Sequence, residues 1–207
     1  TDARQLFRFF VIVNLIPCIL LVFTEPYSFM GKVILVTFPL GMYLFVFSWL
    51  KNIGLMQLIL IPQLIFNAFQ IVLFYLFGES VIAVDMFLNL VTTNSSEALE
   101  LLDNLTPAII AVIILYVPAL ILGTISIIRK RKLTVEFIRR ERKRAFLVFG
   151  ISLLSLVGAY VQDSGYELKS DLYPLNVCYN VGLAFQRTAL TQDYHRTSKD
   201  FTFHARP

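Results

Sequence analysis

Five apolar stretches, each long enough to cross a lipid bilayer, constrain this chain more than any other feature in it: residues 6–23, 33–50, 55–77, 107–128 and 145–161. A helix needs roughly 20 predominantly apolar residues to span the hydrocarbon. Inside that hydrocarbon every backbone N–H and C=O must be paired within the protein, which leaves helices and closed barrels. Stretches of this length read as helices. Only 15% of the 207 residues are charged and 57% are hydrophobic, too little charge to cover a soluble domain. The expected fold is all-α and integral to the membrane, with five spans, a short helical outer loop and an interfacial C-terminal helix.

Punctuation between the stretches is short. "EPYSF" turns the chain after the first, with Pro26 inside it, and "KNIG" connects the second to the third. Thr106 and Pro107 suit the N-cap and first position of the fourth helix. The first stretch is followed at once by a second and lacks a small-residue cleavage site, so it reads as a retained helix rather than a signal peptide. Pro17, Pro39, Pro62 and Pro118 lie inside four of the spans, where each removes a backbone donor and can kink its helix.

Orientation follows from the basic residues. "RKRKLTVEFIRRERKR", residues 129–144, holds nine of the 18 Lys and Arg residues, and Arg4, Arg8 and Lys51 fall on the same side of a five-span chain. The segment 78–105 has no Lys or Arg and carries Glu79, Asp85, Glu97, Glu100 and Asp103. This asymmetry predicts a cytoplasmic N-terminus, with the acidic loop and the C-terminal tail on the other side. A topology signal between two spans accounts for the basic run, so no nucleic-acid partner is inferred. Cys18 and Cys178 are too few for a disulfide framework and read as unpaired small apolar residues.

Two domains are expected: a five-helix membrane unit over 1–162 and a polar tail over 163–207. Within "YPLNVCYNVGLAFQRTAL", Leu175, Cys178, Gly182, Phe185 and Ala189 recur at helical spacing, while Asn176, Asn180 and Arg187 fall on another side expected to face water. The pattern suits a helix lying in the membrane interface. It suits equally an amphipathic helix packed on a soluble domain. The chain starts without Met and ends on "FTFHARP", as a piece of a longer protein would.

Polar residues in two places bear on function. Gln63, Asn67 and Gln70 share one face of the third span, and polar groups in hydrocarbon should turn into the bundle. They serve either as interhelical glue or as a polar path for a lipid headgroup. In "NLVTTNSSEALE", residues 89–100, Asn89, Thr93 and Glu97 are spaced four apart. Asn94 and Glu97 also fit a capping box opening a short helix to about Asp103, which leaves Asn89 and Thr93 unexplained. A carboxamide, a hydroxyl and a carboxylate together suit a ligand carrying a phosphate and an ammonium, such as phosphatidylethanolamine.

On these residues the chain resembles the N-terminal membrane domain of the lipid A phosphoethanolamine transferases, which include the mobile colistin-resistance enzymes. The resemblance rests on five spans, on "DMFLNLVTTNSSEALELLDN" with its N-x-x-x-T-x-x-x-E pattern, on "LTPAIIAVIILYVPALIL", and on a basic loop before the fifth span. The tail resembles the family's bridging helix and its linker to the next domain. The resemblance implies that Asn89, Thr93 and Glu97 help bind the phosphatidylethanolamine donor, that lipid A or a related surface glycolipid is the acceptor, and that the protein sits in the bacterial inner membrane. It places the chemistry in a separate periplasmic, zinc-dependent, sulfatase- or alkaline-phosphatase-like domain with a threonine nucleophile. The chain itself would then have no catalytic residue, no metal ligand and no activity alone. His195 and His204 lack ligand spacing, and Thr93 has no base or metal set beside it.

The other reading, from a different class, is a self-contained five-helix protein such as a transporter subunit or scaffold. Asn94-Ser95-Ser96 and Asn104-Leu105-Thr106 also match the N-glycosylation pattern, a three-residue coincidence common by chance.

Overall fold

The structure, a computed structural model, describes the backbone of residues 2–77 and 95–199 and the side chains of 2–76 and 105–190. Among the described residues it is built of helices, with no strand. In chain order these are α1 (Ala3–Thr24), α2 (Phe29–Phe47), α3 (Ile53–Ile59), α4 (Ile61–Phe77), α5 (Ser95–Ile128), α6 (Val135–Gln162), α7 (Leu168–Asp171) and α8 (Leu175–Lys199). Helices α1, α2, α5 and α6 are long and apolar enough to cross a membrane, and α3 with α4 forms a fifth, bent span.

Local chemistry sets most of the boundaries. The Asp2 N–H donates to Gln5 Oε1 at 3.2 Å, which ties off the start of α1. Pro26 ends it, because the residue before a proline is driven out of helical geometry and Glu25 is extended. Ser28 caps α2 by accepting from the Gly31 N–H at 3.2 Å, and Asn52 caps α3 by accepting from the Leu55 N–H at 3.2 Å. The bend between α3 and α4 is 61°. It falls at Leu60, just before Pro62, whose ring has no N–H to continue the ladder.

Four expectations need correction. The fourth span, Thr106–Ile128, lies where it is expected, but Thr106 and Pro107 do not start its helix, because α5 runs unbroken from Ser95 and both lie inside it. One missing donor does not stop a helix that is sustained on either side. At roughly 1.5 Å per residue, α5 is about 50 Å long, so its first turns project beyond a hydrocarbon core of about 30 Å. The basic run is not wholly a loop. Thr134 caps α6 by accepting from the Phe137 N–H at 3.4 Å, so Arg139, Arg140, Arg142, Lys143 and Arg144 are helical, as good helix formers can be. The second span ends at Phe47, three residues short of the expected limit. In α8, Asn176 and Asn180 are buried, whereas Phe185 and Leu190 are exposed. The carboxamides turn toward the bundle and the apolar residues away from it.

Helix α1 lies at the centre and packs on α2, α3, α4 and α5. It buries Leu6, Phe7, Phe10, Val13, Cys18 and Leu21. Helix α6 packs mainly on α2 and leaves Phe146, Leu147, Leu154, Val157 and Val161 facing outward, as a lipid-facing helix should. At its basic end Phe137 docks edge-on to Phe7 at 5.2 Å, with the guanidiniums of Arg4 and Arg140 over its ring. Arg142 Nη2 donates to the Ser48 carbonyl at 3.1 Å, satisfying an acceptor at the end of α2. Glu141, buried, accepts from Arg140 at 3.4 Å and Arg144 at 2.9 Å.

Helices α3 and α5 approach closely. A Cβ on Gly54 would collide with the Gly123 carbonyl oxygen. Small residues let helix backbones meet in this way. Gly54→Val is therefore expected to destabilise the bundle by about 1–3 kcal/mol, the usual cost of overpacking. Gly150→Ala, where an added Cβ meets nothing within 4 Å, should be neutral or slightly stabilising. Thermal unfolding of both variants in detergent checks the contrast.

Candidate functional site

The polar face expected on the third span is realised on α4. Asn67 and Gln70 are buried and Gln63 is half-buried. Asn67 is the hub of a network inside the bundle. Its Oδ1 accepts from Gln63 Nε2 at 3.0 Å and from the Tyr173 hydroxyl at 2.5 Å. Its Nδ2 donates toward the carbonyl of Asn14 at 3.4 Å and toward Asn14 Oδ1 at 3.3 Å. Asn14 Nδ2 in turn donates to the Phe10 carbonyl at 2.8 Å and to Gln57 Oε1 at 3.4 Å. The network joins α1, α3, α4 and the segment before α8.

Three polar atoms around this network are buried without a hydrogen-bond partner among the described residues: Gln57 Nε2, Tyr43 Oη and Tyr116 Oη. The Tyr43 hydroxyl lies close to Asn67 and Gln63 but outside bonding geometry. Such groups are costly in a dry interior, each by about 1–3 kcal/mol.

The tail reaches deep into the same region. Tyr166, Leu172, Tyr173 and Val177 are buried against Cys18, Leu21, Ile34, Leu35, Leu73 and Ala159. Residues 166–177 thus close the end of the bundle opposite the basic run, with Tyr173 pointing inward to Asn67. The two cysteines are free, Cys18 buried and Cys178 exposed.

Of the residues expected to bind a donor headgroup, Asn89 and Thr93 lie outside the described residues. Glu97 falls in the first turn of α5, its side chain outside the described set. Sequence reasoning missed Asn14, Gln57 and Tyr173. The first two carried a readable signal, a lone carboxamide in an apolar helix. Tyr173 carried none, because its partner is 106 residues away.

These features define a multi-pass α-helical membrane domain whose own tail is inserted into one end of the bundle. Residues 39–188 match the family model described as phosphoethanolamine transferase EptA/EptB, in its N-terminal domain, and the chain belongs to this family. The match takes in the second half of α2, all of α3 to α7 and the first half of α8, together with Asn89, Thr93 and Glu97. No curated protein and no solved structure matches the chain significantly.

The network generates a graded expectation. Tyr173→Phe removes one donor and should cost about 1 kcal/mol. Asn67→Leu strands Gln63, Tyr173 and Asn14 together and should cost more. A double-mutant cycle between Asn14→Ala and Tyr173→Phe, read by unfolding in detergent, should show coupling, because both residues bond Asn67.

Proposed function

We propose that this chain is the part of a phosphoethanolamine transferase that anchors the catalytic domain in the bacterial inner membrane and helps bind the phosphatidylethanolamine donor. Lipid A or a related surface glycolipid is the acceptor. The observation that carries the reading is the family match, which runs through the membrane bundle and into α8. It favours this reading over a transporter subunit or scaffold. The inserted segment 166–177 supports the anchoring role, because a tail seated in the bundle holds whatever follows it near the membrane surface.

Donor binding is assigned to Asn89, Thr93 and Glu97, with the amide and hydroxyl on phosphate oxygens and the carboxylate on the ammonium. Glu97 lies at the same end of the bundle as α7 and the start of α8, by the order of the helices. Among the described residues no three His, Cys, Asp or Glu side chains come together in a way that could hold a metal. On the family resemblance, zinc is assigned to a separate catalytic domain, and no step is assigned to it within this chain. The basic run supports a cytoplasmic N-terminus and a periplasmic tail.

Two measurements test this. Reporter fusions at Arg140 and Ser198 should report cytoplasm and periplasm respectively; a shared compartment overturns the five-span topology. In the full-length enzyme Glu97→Gln should lower transfer strongly with little change in unfolding temperature. As a helix-capping group alone it should cost only about 1 kcal/mol. Loss of activity only in proportion to loss of stability would assign Glu97 to capping.

A further inference from the structure

Beyond the network, the described residues form a second polar feature at the tail end of the bundle. A cleft of about 410 Å³ lies between the end of α6, α7 and the start of α8. Pockets that hold small ligands begin at roughly this size. Its walls carry three tyrosines, Tyr160, Tyr166 and Tyr179, and one charge of each sign, Glu167 and Lys169.

The charges are only loosely committed to each other. Lys169 Nζ is 3.6 Å from Glu167 Oε2, and both side chains are more than half exposed, at 56% and 57%. Exposed pairs of this kind are worth little, so a ligand bearing both charges can exchange partners with them. Lys169 Nζ also stands 5.5 Å from the Tyr179 ring centre, so that face already accepts an ammonium. Glu167 Oε2 accepts from Ser170 Oγ at 3.3 Å and keeps lone pairs free. Tyr160 and Tyr166 meet edge-on at 5.7 Å. The Tyr166 hydroxyl is buried and meets no hydrogen-bond partner among the described residues. Burial, and then the Asp171 carboxylate, push that phenol above its ordinary range, so it remains a donor.

The surface leading to the cleft is hydrocarbon. Leu153, Leu154 and Val157 are exposed along α6 just below Tyr160. Leu175 and Tyr179 of α8 form the opposite wall and are partly exposed. A ligand here meets an apolar ridge on a spanning helix below and paired charges among tyrosines above.

We infer that this cleft binds the headgroup of a zwitterionic phospholipid, with the phosphate on Lys169, the ammonium on Glu167 among the tyrosine rings, and an acyl chain along α6. The site is separate from Asn89, Thr93 and Glu97 and does not depend on the donor role assigned to them.

The test uses the 207-residue chain in detergent, with an environment-sensitive fluorophore on exposed Cys178, beside the Leu175–Tyr179 wall. Dihexanoyl-phosphatidylethanolamine should give a saturable signal, with affinity about tenfold above that for dihexanoyl-phosphatidylglycerol, which lacks the ammonium; tenfold corresponds to ~1.4 kcal/mol. Glu167→Gln should abolish that preference, and Lys169→Met should weaken both lipids. Both variants alter exposed groups, so their unfolding temperatures should match the parent's. Glycerophosphoethanolamine, without acyl chains, should bind more weakly. Equal affinity for the two lipids, or an unchanged preference in Glu167→Gln, overturns the site. Equal affinity for glycerophosphoethanolamine and the lipid overturns the phospholipid assignment. Glu167 and Lys169 lie outside the 89–97 loop, so a titration unaltered in both Glu167→Gln and Lys169→Met assigns the binding to that loop and the inference falls.

Discussion

A carboxamide in hydrocarbon must find partners, and Asn67 finds them in Gln63 of its own helix and in two other parts of the chain. The arrangement of the tail follows from that requirement. Apolar packing between membrane helices discriminates poorly, because lipid tails are as apolar as leucine side chains. Directional bonds fix rotation and register instead. Asn67 is matched in depth to Asn14 on α1, and the Tyr173 hydroxyl reaches the same oxygen as Gln63. A rotation of α4 by one residue would break the bonds to Asn14 and Tyr173 and move Gln70 out of its buried position. Each bond contributes only about 0.6 kcal/mol on average, so the network specifies geometry more than it supplies stability.

The bend at Leu60 belongs to the same solution. A straight third span would carry Gln57 and Asn67 on one axis. Breaking the helix before Pro62 lets α3 lie against α5, where Gly54 and Gly123 allow backbone contact, while α4 follows its own direction. Gln57 on α3 and Asn67 on α4 then both face Asn14. The proline loses one backbone bond, and the two half-helices gain separate packing surfaces. Gln57 Nε2, Tyr43 Oη and Tyr116 Oη stay buried without a hydrogen-bond partner among the described residues.

Much of this was legible in the sequence, for physical reasons that also set the limits. Spans are read from length and hydropathy, both local, so five appeared at nearly their observed positions. The face of α4 was read from the spacing of Gln63, Asn67 and Gln70, again local. Boundaries failed where two local rules competed. Thr106-Pro107 satisfies the rules for a helix start, yet α5 had already begun at Ser95 and the chain had no reason to stop. Helix formers in the basic run extended α6 downward, although their charge marked them as a connector. The inward turn of Asn176 and Asn180 was hidden because an apolar stripe facing lipid and one facing a protein core look alike. Here the bundle itself receives the carboxamides. Asn89 and Thr93 lie outside the described residues, so the donor-binding assignment continues to rest on their spacing and on the resemblance.

The seated tail changes what a connector can do on the proposed reading. A flexible linker of a dozen residues lets an attached domain explore a sphere tens of ångströms across, with an end-to-end distance growing as about 5–6 Å times the square root of its length. Here residues 166–177 are held by Leu172, Tyr173 and Val177 in the bundle, and α8 leaves from a fixed point. The lost freedom is that of the linker, so the effective concentration of the attached domain at the membrane surface rises without any new contact between domains. The Tyr173–Asn67 bond is then coupled to transfer without touching the substrate. Loosening it should act on the encounter between domain and lipid, and leave the chemistry of the attached domain toward a soluble substrate as it was.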